Sequence, residues 1–137
     1  MRKIILAFLL IFCFAYTASA ANFVEIIRDD NFLIYIDVDS LQDKGDYLTC
    51  WTKWIPRGKE LERYNKMTKK KVSHLMGFDA YKVNDHQSQR LAEYYYYKNG
   101  EHEKNFAWNL TSNGWKELVP QSYGEFIWGR VKAIAGY

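Results

Sequence analysis

The sequence predicts an α+β domain, an antiparallel sheet of five to six strands packed by one C-terminal amphipathic helix. Three observations carry this. Residues 89–97 read Gln-Arg-Leu-Ala-Glu-Tyr-Tyr-Tyr-Tyr and run into Lys98-Asn99-Gly100. Aromatic residues favour strands, and Asn-Gly is a strong hairpin turn. Other apolar, β-branched or aromatic runs recur along the chain with turn residues between them. Finally, Ser122 and Glu125 stand three apart, as in a capping box, ahead of apolar residues at helical spacing.

Taken in order, the chain opens Met1-Arg2-Lys3, continues without charge from Ile4 to Tyr16, and reaches Ala18-Ser19-Ala20 before Ala21. A basic start, a short apolar core and small residues at −3 and −1 read as a secretory signal peptide over residues 1–20, cleaved after Ala20. The apolar run is shorter than the roughly 20 residues needed to span a bilayer. Cys13 follows Phe12 in mid-run, which is not where a lipidated Cys would stand. Residues 21–137 then form one domain with no second hydrophobic stretch able to span a membrane. The expected location is the periplasm, the cell surface or the medium.

Residues 23–27 and 32–37 read as two strands joined by Arg28-Asp29-Asp30-Asn31, a hairpin turn. Asp37 to Leu41 suits one helical turn, and Lys44-Gly45-Asp46 a reverse turn. Residues 47–54 form the next strand, stopped by Pro56-Arg57-Gly58. Residues 59–71 lack strand alternation, and Glu62 and Lys66 lie four apart, so a loop or a short surface helix is expected there. Strands are expected again at 72–84, 87–97 and 106–110. Strict alternation in the tyrosine-rich strand puts Arg90, Ala92, Tyr94 and Tyr96 on one face and Leu91, Glu93, Tyr95 and Tyr97 on the other. In the final helix, Tyr123, Phe126, Ile127, Val131 and Ile134 form the expected apolar stripe, positioned to cover the tyrosine-rich sheet. Arg130 falls inside that stripe, with its stem over the sheet or its head stacked on a tyrosine.

Charge is near balance but uneven. The formal net charge is +3, and +1 without Arg2 and Lys3. Residues 22–46 hold seven acids against Arg28 and Lys44; residues 57–71 hold seven bases against Glu60 and Glu62. The total excludes a generally basic nucleic-acid binder and leaves one local basic patch. Catalytic signatures do not appear: no nucleophile with a base, no phosphate loop, no metal-ligand spacing among His74, His86 and His102. The chain is therefore expected to be non-enzymatic, with no cofactor and no metal. Glu101-His102-Glu103 and Asp85-His86 read as solvated turns. Asn109-Leu110-Thr111 is a glycosylation acceptor only in a glycosylating host. Beyond the leader Cys50 stands alone, so no intramolecular disulfide can form. A buried thiol is favoured over a bridge between chains.

The sharper binding candidates are Lys66, Lys69, Lys70 and Lys71, which with Lys59 and Arg63 could face a polyanion, whether a sulfated glycan, lipopolysaccharide phosphate or nucleic acid, against the plainer reading of a solvated loop. Five tryptophans are many for one domain. Most belong in the core, and Trp54 and Trp128 are the two expected to be exposed as partner anchors.

The order of these features resembles the surface-adhesin protein E-like family of secreted bacterial proteins. The resemblance rests on Ile34-Tyr35-Ile36-Asp37, then Asp39-Ser40-Leu41, Cys50-Trp51-Thr52-Lys53, and Lys71-Val72 leading to Tyr81. It continues through Glu93 to Tyr97, Trp115, Val119-Pro120-Gln121-Ser122 and Gly124-Glu125. It implies an antiparallel sheet packed by a C-terminal helix, and leaves a homodimer open. The name-giving member is an adhesin for host matrix and plasma proteins. The resemblance also implies a Cys in the strand corresponding to residues 78–81 and another at the C-terminus. Here Ala80 and Gly136-Tyr137 stand instead, so that bridge is absent. No ligand motif of the adhesin matches residue by residue. The expected function is a secreted envelope binding module for an extracellular or envelope protein or a polyanionic glycan. The alternative is a periplasmic structural or accessory domain.

Overall fold

The computed structural model describes residues 21–137; the signal-peptide reading of residues 1–20 lies outside the described residues. The elements are β1 (Phe23–Arg28), β2 (Phe32–Asp37), a single 3-10 turn (Val38–Ser40), β3 (Gln42–Asp43) and β4 (Tyr47–Pro56). Then come α1 (Gly58–Thr68), β5 (Val72–Lys82), β6 (Gln87–Tyr97), β7 (His102–Ala107), β8 (Lys116–Glu117) and α2 (Tyr123–Ala135). The sheet runs β1-β2-β4-β5-β6-β7, antiparallel throughout, with short β3 pairing β4 and short β8 pairing β6. The fold class is thus α+β, with six main strands and a C-terminal helix.

Both helices lie on one side of the sheet, and they divide it. α2 buries Ile127 and Val131 against Phe32, Ile34, Ile36, Leu48, Cys50 and Tyr81. α1 supplies Leu61 and Tyr64 to a second cluster with Val72, Leu75, Tyr95 and Tyr97. This corrects the expectation that the C-terminal helix covers the tyrosine-rich strand; the mid-chain helix does so. Residues 59–71, where loop and helix were both open, are mostly helix. Its surface is held by the Arg63–Glu60 pair at 2.7 Å. Its end is fixed by Lys69 in the left-handed conformation (φ 57°) and by Asn65 Oδ1, which accepts from the Val72 amide at 2.7 Å.

The α2 stripe is narrower than its sequence pattern. Ile127 and Val131 are buried, with Tyr123 and Ile134 beside them, whereas Phe126 is 52% exposed and Arg130 is exposed. Phe126 and Arg130 are four apart, so they share the solvent side. Ser122 caps α2 as expected, its Oγ accepting from the Glu125 amide at 3.2 Å.

One register shift matters for the site. Phe78 pairs with Ala92, but Asp79 pairs with Arg90, so β6 carries an extra residue at a bulge. Ala92, Tyr94 and Tyr96 stay on the side away from the helices. Arg90 does not join them, as strict alternation predicted, and instead meets Glu93 and Asp79 on the helix side. Cys50, fully buried, faces α2. Burial foremost, and then the Asp79 and Asp37 carboxylates, push its thiol pKa far up. It stays protonated and inert.

Candidate binding cavity

Between the sheet, the segment after β7 and the start of α2 lies a cavity of about 600 Å³. Trp54, Leu91, Phe106, Trp108 and Ile127 give it apolar walls, and Arg90 lies among them. Cavities of this size with apolar walls and a few fixed polar groups are typical ligand and anchor sites.

The bulge creates its polar floor. Arg90 donates from Nε to Asp79 Oδ1 at 2.8 Å, from Nη2 to Asp79 Oδ2 at 3.1 Å, and from Nη1 to Glu93 Oε2 at 2.9 Å. Thr52 Oγ1 donates to Asp79 Oδ2 at 3.1 Å and accepts from Trp54 Nε1 at 2.9 Å. Glu93 Oε1 accepts from Tyr95 and Asn105. Burial by itself would lower the Arg90 pKa; the Asp79 carboxylate more than reverses this, and the guanidinium is held charged. It also lies 5.3 Å from the Trp54 ring. The network is fully partnered, so its role in the cavity is to fix a rigid charged floor.

The rim is aromatic. Trp108 is 68% exposed and stacks on Phe106, with ring centroids 4.5 Å apart. Its backbone is braced: the Trp108 amide donates to Leu91 O at 2.7 Å, and the Thr111 amide donates to Gln89 Oε1 at 3.0 Å.

The residues expected from sequence fall in different places. Trp54 is half-buried in the cavity wall, edge-on to Phe32 and Tyr123, and is not an exposed anchor. Trp128 is half-buried too, its Nε1 donating to Lys82 O at 2.7 Å and its ring against His86. The exposed tryptophan is Trp108. The strand expected at 106–110 hid it, because β7 ends at Ala107 and Trp108 leaves the sheet.

Lys66, Lys69, Lys70 and Lys71 cluster at the end of α1, away from the cavity lining. All four are exposed. Lys70 pairs with Glu101 at 3.3 Å and Glu103 at 3.7 Å, and lies over the Tyr97 ring. Lys66, Lys69 and Lys71 form no ion pair among the described residues, and the Lys98 amide bond to Lys71 O brings a fifth lysine alongside. Among the described residues no cluster of three His, Cys, Asp or Glu is placed to hold a metal, and no helix is long and apolar enough to cross a membrane.

No family model matches this chain, and no curated protein matches it significantly.

Proposed function

We propose that this chain is a secreted, non-enzymatic binding module of the bacterial envelope, akin to the surface-adhesin protein E-like domains, that recognises an extracellular or envelope protein. The observation that carries this reading is the braced, exposed Trp108 at the mouth of the apolar cavity. A tryptophan this exposed and held in place is a ready anchor, because tryptophans are enriched among interface hot spots. The cavity behind it, with apolar walls over a floor whose charges already pair with one another, suits an apolar side chain of a partner. The leader-like residues 1–20 support export. Lys66, Lys69 and Lys71 add a salt-sensitive attraction for acidic surfaces, the polyanionic glycan among them.

The test is binding of the domain 21–137 to immobilised matrix proteins and sulfated glycans at low and physiological salt. Variants Trp108→Ala and Lys69/Lys71→Ala run beside it. Protein binding that survives physiological salt and falls at least tenfold in Trp108→Ala supports the reading, since a hot-spot truncation costs about 2 kcal/mol or more. The same leader fits a periplasmic accessory domain. Protease shaving of intact cells separates the two: cleavage supports surface recognition, and protection supports the periplasm.

A further inference from the structure

The side of the sheet away from both helices carries a second site. Trp51 packs on Phe78 and Tyr94, with centroids 5.1 and 6.0 Å away. Tyr96 is sandwiched between His74 at 4.5 Å and His102 at 5.4 Å, its ring nearly parallel to both. Trp51, Tyr94, Tyr96, His102 and Asp37 line a shallow hollow of about 400 Å³. These rings are half-buried among themselves, apart from the exposed His102, and form a continuous platform across β4, β5 and β6.

Asp37 is the unusual member. It precedes the 3-10 turn, where an Asp normally caps a backbone amide, yet its side chain makes no such bond. Its buried Oδ1 has no hydrogen-bond partner. A carboxylate oxygen without a donor is costly. Asp37 is also one of the residues lining the hollow, so its carboxylate, which only accepts hydrogen bonds, stands within the site. The surroundings carry both signs of charge: Lys53 Nζ lies 5.3 Å from the Phe23 ring on this face. That argues against a cationic guest, and the interleaved His and Lys groups argue against a second copy's apolar face. What fits is a ligand with a flat C–H face for the rings and hydroxyl donors for Asp37.

The geometry points to an uncharged saccharide of a glycan chain, one sugar ring stacking on Trp51 and Tyr94 and a hydroxyl donating to Asp37. This site is independent of the Trp108 cavity, on the opposite side of the sheet.

The experiment is titration of isotope-labelled 21–137 with chitohexaose, cellohexaose and maltohexaose, followed by amide and indole NMR shifts. The expected result is saturable shifts centred on Trp51, Tyr94, Tyr96 and His102 with at least one oligosaccharide. Affinity falls about tenfold in Asp37→Ala and in Tyr94→Ala, as loss of a charged hydrogen bond or a stacking ring requires. Trp108→Ala binds these sugars as the parent does, whatever becomes of its protein binding. Absence of shifts with all three, or shifts that persist unchanged in both variants, overturns the assignment. Shifts on this face that depend on protein concentration and not on sugar overturn it too, and give the face to a second copy.

Discussion

Cys50 shows how a residue's setting decides its chemistry. In an oxidising compartment a lone cysteine invites pairing between chains, but Cys50 lies beneath α2, fully buried and with its pKa raised by burial. A thiol reagent should therefore label it only on the timescale of unfolding. A covalent dimer on non-reducing gels that vanishes in Cys50→Ser would contradict this. Asp29 is the opposite case. The Tyr123 hydroxyl, 2.7 Å away, is the main cause that holds its carboxyl below the ordinary value, with partial desolvation opposing and the Phe32 and Asn31 amides helping. A depressed folded pKa adds stability above the unfolded value, near 4, and that stability is lost as pH falls through the folded value. Tyr123→Phe should raise the Asp29 pKa in an NMR titration and flatten the acid limb of the stability curve below about pH 4. An unchanged Asp29 titration would refute the link. Arg90 is the third test. Arg90→Met leaves Asp79, which is almost fully buried, without its main partner. The expected cost in urea unfolding is about 2–3 kcal/mol, below that of a fully buried pair because Arg90 retains some solvent.

At the scale of elements, much of the fold was legible and the exceptions have physical causes. The strands at 23–28, 32–37, 47–56, 72–82 and 87–97 follow runs of apolar, β-branched or aromatic residues bounded by turns. The capping box marked α2 correctly. The helix at Gly58–Thr68 was ambiguous because it packs through only two apolar residues, Leu61 and Tyr64, too few for a clear stripe. The bulge at Asp79 and Arg90 was invisible because period-two alternation cannot register an inserted residue. The cavity was therefore not legible either, although Trp54 in its wall had been singled out. Gly77 is a sign the sequence offered too faintly. A Cβ there would lie 2.9 Å from the Arg90 guanidinium, which is pinned by Asp79 and Glu93. Gly77→Ala should cost about 1–3 kcal/mol and disturb the cavity floor, seen as shifted Arg90 and Trp54 side-chain signals. Truncation after Gln121 should expose Ile34, Ile36, Leu48 and Tyr81 and cause aggregation. A soluble, cooperatively unfolding truncate would mean α2 is dispensable for the core.

Three distinct surfaces stand out among the described residues of the molecule: the Trp108 cavity on the helix side, the lysine cluster at the end of α1, and the aromatic platform on the side of the sheet away from the helices. Near-neutral net charge leaves the lysine cluster local, and Glu101 and Glu103 partly neutralise it at Lys70. Long-range attraction is then modest, so the binding proposed above would draw its affinity from apolar burial at short range. The most direct test is binding of domain 21–137 and its Trp108→Ala variant to an array of matrix proteins at physiological salt. The expected result is saturable binding to at least one protein, weakened at least tenfold by Trp108→Ala with the thermal midpoint unchanged. Binding that Trp108→Ala leaves intact, or none to any protein on the array, would contradict it.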